Sequence, residues 1–329
     1  MNNKSSNGRF INSPQWQLNG SCRVAFIGEC MVELTEPEPE NLQLNFAGDS
    51  LNTAVYFARE LKAFAANIDY VTAVGTDPLS DQMLNQWRQE GLGVKNVARI
   101  ADKLPGLYWV RANSTGERSF YYWRDVSAAR ELMRDNAELI LYESLKQHDV
   151  IYLTGISIAI LDIESRTALL NLLGKLKKRG ALVMFDSNYR PLLWDSKNIA
   201  RRWIERVLAL VDVAMVSFDD ERDLYKDSDP HASVERIHSL GVAEVVVKNG
   251  AEPCVVSRAK DRHEVAAMQL SKQLDTTAAG DSFNAAYMAA RIQGRPIEQA
   301  ALQGHALAGR VVQLSGAIIP AADYADEKA

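Results

Sequence analysis

The sequence predicts an α/β protein: a mostly parallel sheet with helices on both faces, in three layers, and a small β-sheet outside them. Three observations predict it. Between residues 150 and 216 apolar runs alternate with helical periodicity: strands at 150–154, 182–186 and 213–217, helices at about 165–179 and 198–210. Repeated βαβ units pack as parallel strands with helices above and below. Residues 23–28, Arg-Val-Ala-Phe-Ile-Gly, are a short apolar run closed by glycine, the pattern of a buried parallel strand. From 104 to 124 two β-rich runs flank Asn113-Ser114-Thr115-Gly116-Glu117, which reads as a hairpin. With residues 34–47 it makes the separate small sheet.

Composition narrows the function. With 47% hydrophobic and 24% charged residues in 329, the chain has the make-up of a globular enzyme with a substantial core. A net charge of −5 disfavours nucleic acid or an anionic membrane as partner. Cys22, Cys30 and Cys254 are odd in number and form no C-x-x-C pair, so neither a disulfide framework nor a zinc site is expected and a reducing cytoplasm fits. Residues 1–20 are polar, lack an apolar signal core and are expected to be a flexible extension before one domain over 21–325. The most apolar window, 150–161, is broken by Thr154, Gly155 and Ser157 and falls short of the about 20 residues that span a bilayer.

In chain order, a helix is expected from Asp49 or Ser50, either of which can cap it, to Leu61. A strand at 70–74 follows, then a helix opened by Pro78 and ended near Gly91 and Gly93. Strands at 245–250 and 255–257 precede a helix over about 281–293, stopped by Gly294 and Pro296, and a last Ala-rich helix over 296–313. In such a sheet ligands bind beyond the C-terminal strand ends. Neither G-x-G-x-x-G nor a Walker loop is present.

The stretch Leu274-Asp275-Thr276-Thr277-Ala278-Ala279-Gly280-Asp281-Ser282-Phe283-Asn284 carries the chemistry. It reads as a turn opening into a helix, so that the N–H groups of Ala279, Gly280 and Asp281 point outward as an anion site. Asp281 is either a helix N-cap or a general base that takes a proton from a substrate hydroxyl as it attacks a γ-phosphate.

The run Asp275–Ala290 resembles the C-terminal signature of the ribokinase-like (PfkB) sugar kinases, and the resemblance extends from about Val24 to Pro320. It implies a ribokinase-like fold, ATP and Mg²⁺, and a small sheet, over about 34–47 and 104–125, acting as a lid on the sugar and as a contact between copies. By the same resemblance, Gly48, Asp49 and Asn52 face the sugar, with Ala47 in place of the motif's first Gly. Asp186-Ser187-Asn188-Tyr189-Arg190 is similar to the family's D-x-N-x-R; Asp186 and Asn188 are then expected near Mg²⁺ or the phosphates. Ser217-Phe218-Asp219-Asp220-Glu221 stands where the family has N-x-x-E: Glu221 matches, Phe218 replaces the Asn, and Glu221 is expected to reach the metal through water. Lys248 and Gly250, in V-K-x-G, lie beside the nucleotide, as do Ser217, Thr277 and the 278–281 amides. His305 lies near the adenine or is simply a packed residue. Ser315-Gly316-Ala317 stands where relatives hold a monovalent cation such as K⁺.

Gly28-Glu29-Cys30-Met31-Val32-Glu33, residues 104–108 and 114–124, and Asn188-Tyr189-Arg190-Pro191 look like the 2-keto-3-deoxygluconate kinase subgroup, in which Tyr108, Tyr122 and Arg124 grip the substrate. Arg190 offers a planar fork for a carboxylate, or else a surface ion pair. The expectation is ATP-dependent phosphorylation of 2-dehydro-3-deoxy-D-gluconate at its terminal hydroxyl, without nucleic-acid or membrane partner. The alternatives are a kinase for a neutral sugar such as fructose or ribose, disfavoured because Arg124 and Arg190 would be uncompensated, and a non-catalytic sugar sensor.

Overall fold

The computed structural model describes residues 22–38, 41–112, 118–270 and 274–325. The polar stretch 1–20 and the turn at 113–117 lie outside the described residues. In chain order the chain forms β1 (Cys22–Ile27), β2 (Met31–Glu38), β3 (Asn41–Ala47), α1 (Asp49–Glu60), β4 (Ala66–Val74), α2 (Pro78–Gln89), β5 (Val97–Arg99), β6 (Gly106–Ala112) and β7 (Arg118–Trp123). There follow α3 (Ala137–Leu145), β8 (Val150–Thr154), α4 (Gly155–Ala159), α5 (Ile163–Lys178), β9 (Leu182–Asp186), α6 (Lys197–Leu208), β10 (Val213–Ser217), α7 (Phe218–Tyr225) and α8 (Pro230–Ser239). The last elements are β11 (Glu244–Asn249), β12 (Glu252–Arg258), β13 (Asp261–Val265), α9 (Ala279–Ile292), α10 (Ile297–Val311) and α11 (Ala321–Ala325).

Nine strands form one sheet in the order β13-β12-β11-β10-β9-β8-β1-β4-β5. From β5 to β11 neighbours run parallel, and β12 and β13 close one edge antiparallel. The parallel strands read as unbroken apolar runs because both their faces are covered. On one face Val24, Phe26 and Tyr152 pack under α1, α2, α9 and α10 through Leu51, Trp87, Tyr287 and Leu307. On the other Ala25, Ile27 and Leu153 pack under α3, α5, α6 and α8 through Leu141, Leu173, Trp203 and Val234. The expected three-layer architecture is therefore what the chain forms.

Strands β3-β2-β6-β7 make the small sheet. Tyr108 lies opposite Tyr122, and Trp109 opposite Tyr121. Because side chains alternate along a strand, the sheet has two faces. Met31, Ala47, Tyr108 and Val110 gather with Ala278 and Ala317 on the inner one. Leu34, Leu42, Leu107, Trp109 and Trp123 line an apolar recess on the outer one.

Two helix starts differ from expectation. Neither Asp49 nor Ser50 caps α1: Gly48 holds the N-cap position without a side-chain bond, and Ser50 Oγ instead shares a 3.0 Å hydrogen bond with Tyr70 OH. Helix α9 opens at Ala279, two residues before Asp281, because Ala278 turns the chain with φ 59°. Asp77 caps α2 through Leu79 N and Ser80 N, with Pro78 in the first turn as expected. The short α4, α7 and α11 have too little apolar period of their own to be seen in the sequence.

Candidate active site

The C-terminal ends of β8, β9, β10 and β11, the first turns of α1 and α9 and the inner face of the small sheet converge. Asp281 sits in the first turn of α9, where Asn52 of α1 donates Nδ2–H to its Oδ2 at 2.9 Å. Burial pushes the Asp281 carboxyl up to about 7; Asp49 and Asp186 add to this, while the Asn52 hydrogen bond and the Lys248 ammonium oppose it. Ala278, not Asp281, holds the N-cap position, and a carboxyl raised in this way suits a general base at pH 7.

The expected trio of free amides is reduced by one. Ala279 N–H makes a 3.3 Å turn bond to Thr276 O, and the first bond of the helix runs from Ser282 N to Ala278 O at 2.9 Å. The N–H groups of Gly280 and Asp281 have no acceptor within the helix. Beneath them Lys248 Nζ donates to Asp186 Oδ2 at 2.7 Å and to Asn284 Oδ1 at 3.0 Å. A Cβ on Gly280 would stand 3.3 Å from that ammonium. Thr277 N–H donates to Asp275 Oδ1 at 2.9 Å, which fixes the turn leading into the helix.

The residues expected on the sugar side meet at Asp49. Its Oδ2 accepts from Thr154 Oγ1 at 2.5 Å and from Asn188 Nδ2 at 3.1 Å. Burial raises the Asp49 carboxyl above the usual carboxylate range, against the pull of Thr154, Arg190 and Arg124. Asn188, at φ 32°, is held by its own N–H on Asp186 Oδ1 at 3.1 Å, a local turn that Asx residues favour. Gly48 is required by close approach: a Cβ there would stand 2.3 Å from Glu29 O. On the small sheet, Tyr108 donates its hydroxyl to Glu33 Oε1 at 2.6 Å, and the ring of Tyr122 lies 5.8 Å from that of Tyr108.

Both arginines have carboxylate partners, so the premise that a neutral sugar would leave them uncompensated is wrong. Arg124, 7% exposed, donates Nη2–H to Glu29, and Arg190 Nη1 lies 3.7 Å from Asp220 Oδ1 while donating to Tyr189 O at 3.0 Å. Arg124 Nε is nevertheless buried without a partner, and Arg190 is half-exposed. Asp220 is pushed up to about 6 by burial, with Arg190 opposing.

Other expected residues sit less directly in the site. Glu221 is buried with both oxygens engaged, Oε1 by Ser187 Oγ at 2.6 Å and Oε2 by Arg236 Nη2 at 2.5 Å, and burial pushes it up to about 7. Among the described residues no cluster of three or more His, Cys, Asp or Glu is arranged for a metal. Ser217 stands at the N-cap position of α7 without a side-chain cap bond, and Gly250, at φ 60°, turns β11 into β12. His305 packs edge-on to Phe283 with ring centroids 5.1 Å apart and its Nε2 3.1 Å from Val265 O; burial lowers its pKa. It therefore occupies the seam between α9 and α10 as a packed residue.

Sequence reasoning gave no role to Glu29, Tyr152, Thr154, Ser187 or Asn284. Asn284 was legible: it lies three residues after Asp281, hence on the same side of α9. It donates to Asp186 Oδ2 at 2.7 Å and to Tyr152 OH at 3.2 Å. Thr154 ends a buried strand and carries no local signal of what it meets.

The model of the pfkB family of carbohydrate kinases matches residues 22–323. The chain is 44% identical to the 2-dehydro-3-deoxygluconokinase of Dickeya dadantii over 90% of its length and 96% of that protein's. It is equally 44% identical to the enzyme of that name from Escherichia coli K12, over 91% and 98%. A crystal structure of 2-dehydro-3-deoxygluconokinase from Thermotoga maritima superimposes with a TM-score of 0.77 at 20% identity, covering 92% of this chain and 95% of that one. The chain belongs to the pfkB family of carbohydrate kinases.

Proposed function

We propose that this protein transfers the γ-phosphoryl group of ATP to the terminal hydroxyl of 2-dehydro-3-deoxy-D-gluconate, giving 2-dehydro-3-deoxy-6-phospho-D-gluconate and ADP. The observation that carries the chemistry is the Asn52–Asp281 hydrogen bond, which ties the sugar-side helix to the acid in the first turn of α9. The 44% identity with proteins of that named activity supports the choice of sugar.

In this mechanism Asp281 takes the proton of the sugar hydroxyl as its oxygen bonds to the γ-phosphorus, and the bond to the β–γ bridging oxygen breaks to release ADP. The Gly280 and Asp281 amides and Lys248 offset the charge on the phosphoryl oxygens. Mg²⁺, when bound, neutralises charge on the β- and γ-phosphates. The donor set suits an ion that arrives on the nucleotide and keeps its waters: Asp186 Oδ1 accepts only one backbone N–H from Asn188 among the bonds described, whereas Glu221 has both oxygens engaged. Arg190 and the unpartnered Nε of Arg124 are the donors for the sugar carboxylate, with Asp49, Asn52 and Gly48 at the hydroxyls and Tyr108 and Tyr122 over them. Ser217, Gly250 and Thr277 frame the nucleotide side.

K⁺ belongs at the 315–317 loop, which is fastened by Gly316 N–H on Asp275 Oδ2 at 2.8 Å and by Tyr56 OH on Ala317 O at 2.9 Å. The outer lid face, with Trp123 59% and Leu42 55% exposed, is where two copies pair. No helix among the described residues is long and apolar enough to cross a membrane; the enzyme acts in the cytoplasm, on small molecules. A neutral sugar is the second reading, favoured by one observation: both arginines already have counterions.

A coupled ADP-release assay with MgATP separates the two. Turnover of 2-keto-3-deoxygluconate well above fructose, ribose and gluconate at equal concentration is expected. Preference for fructose or ribose would discard the carboxylate role of Arg124 and Arg190, and inactivity on all four would discard the kinase assignment.

A further inference from the structure

The chain passes between the main sheet and the lid four times: from β1 to β2, from β3 to α1, into β6, and out of β7. One residue, Glu29, touches all four crossings. It lies within the first. Its backbone oxygen would stand 2.3 Å from a Cβ on Gly48, at the second. Its Oε1 would stand 2.9 Å from a Cβ on Gly106, at the third. At the fourth, Oε1 accepts from Ser127 Oγ at 2.5 Å and Oε2 accepts from Arg124 Nη2. Glu29 is 1% exposed, so this knot is dry.

A buried carboxylate is costly unless paired, and this one is paired to the Arg124 guanidinium. Arg124 Nε is buried and has no partner, and the guanidinium lies 6.0 Å from the ring of Tyr122 on the lid's inner face. Whatever fixes Arg124 therefore fixes both a pocket donor and the end of the last lid strand.

We propose that Glu29 is a positioning residue for sugar-acid binding: through Arg124 and Ser127 it sets the lid on the main sheet and aims the free edge of the Arg124 guanidinium at the substrate. Glu29 does not itself touch substrate, since its carboxylate is spent on the two lid-exit residues. Binding of a carboxylate at Arg124 is thereby linked to the crossings about which the lid turns. The inference rests on the sugar-acid reading of the pocket.

The test is a double-mutant cycle on the full chain with Glu29→Gln, Arg124→Gln and both together, measuring KM for the sugar acid, KM for ATP and kcat. Glu29→Gln keeps the shape and removes the charge. It is expected to raise the sugar-acid KM by about tenfold or more, with ATP KM and kcat within about threefold. In the Arg124→Gln background it should add less than about twofold, because the two residues act as one unit. A sugar-acid KM unchanged by Glu29→Gln, or effects that simply multiply as two independent structural lesions would, overturns the proposal. If Glu29→Gln does not fold, Ser127→Ala decides: it removes one anchor of the carboxylate and should raise the sugar-acid KM by about threefold while sparing ATP KM, and no change overturns the proposal. Wild-type enzyme inactive on the sugar acid would instead remove the reading beneath it.

Discussion

Asp281 is poised by opposing forces that can be moved one at a time. Burial and the carboxyls of Asp49 and Asp186 hold its proton on, whereas the Asn52 hydrogen bond and Lys248 favour the ionised form. Only the ionised form can accept a proton, so with the Asp281 carboxyl pushed up to about 7, kcat/KM should fall about tenfold per pH unit below a midpoint near there. Asn52→Leu removes a donor that favours the carboxylate, so the acid limb should move to higher pH, by up to about one unit. A limb that stays in place in the pH profile of this variant would detach Asp281 from the titration. At this scale the sequence was informative where the chemistry is local. Asp281, Gly280, Gly48 and Asn188 are all in runs whose order predicts their place. Glu29, Thr154 and Tyr152 act through partners 95 or more residues away along the chain, and no local pattern carries that information.

Among the elements, α9 decides where Asp281 stands, and strand β11 holds that helix at both ends. Near the site Lys248 donates to Asn284; at the far end Glu244 accepts from Arg291 Nε and Nη2, both at 2.9 Å, and from Tyr287 OH at 2.8 Å. Glu244 and Arg291 are both buried, so removing one partner strands a charge in the core. Arg291→Met should cost about 3 kcal/mol in denaturant unfolding, and a loss below about 1 kcal/mol would show that Glu244 finds relief in Tyr287 and Arg258 alone. The helix itself was readable from its Gly-Pro stop and small-residue face. Its first residue was not, because the turn at Ala278 uses a left-handed conformation in a residue other than glycine, for which the sequence has no mark.

The whole molecule joins a three-layer body to a small sheet with two distinct faces. The inner face carries Tyr108 and Tyr122, and the outer presents Leu42, Tyr121 and Trp123. An apolar face of this kind needs cover, which the proposed pairing of two copies would supply. Trp123→Asp should therefore halve the mass seen by sedimentation velocity while leaving the fold intact; an unchanged mass would place the contact elsewhere. The layers were legible because buried parallel strands declare themselves as apolar runs between helices. The division of the lid into two faces was not, because an aromatic run such as Phe120-Tyr121-Tyr122-Trp123 is apolar on both sides and only the partner strand tells which side is which.

The most direct measurement is single-turnover phosphoryl transfer by Asp281→Asn alongside calorimetric titration of the sugar acid. The substitution removes the proton acceptor while keeping the size of the side chain and an amide oxygen that Asn52 can reach. Transfer slowed by about a thousandfold or more, with sugar affinity within about threefold of wild type, is the predicted result. Transfer within about tenfold of wild type would contradict the assignment of Asp281 as the base and, with it, the chemistry assigned to this site.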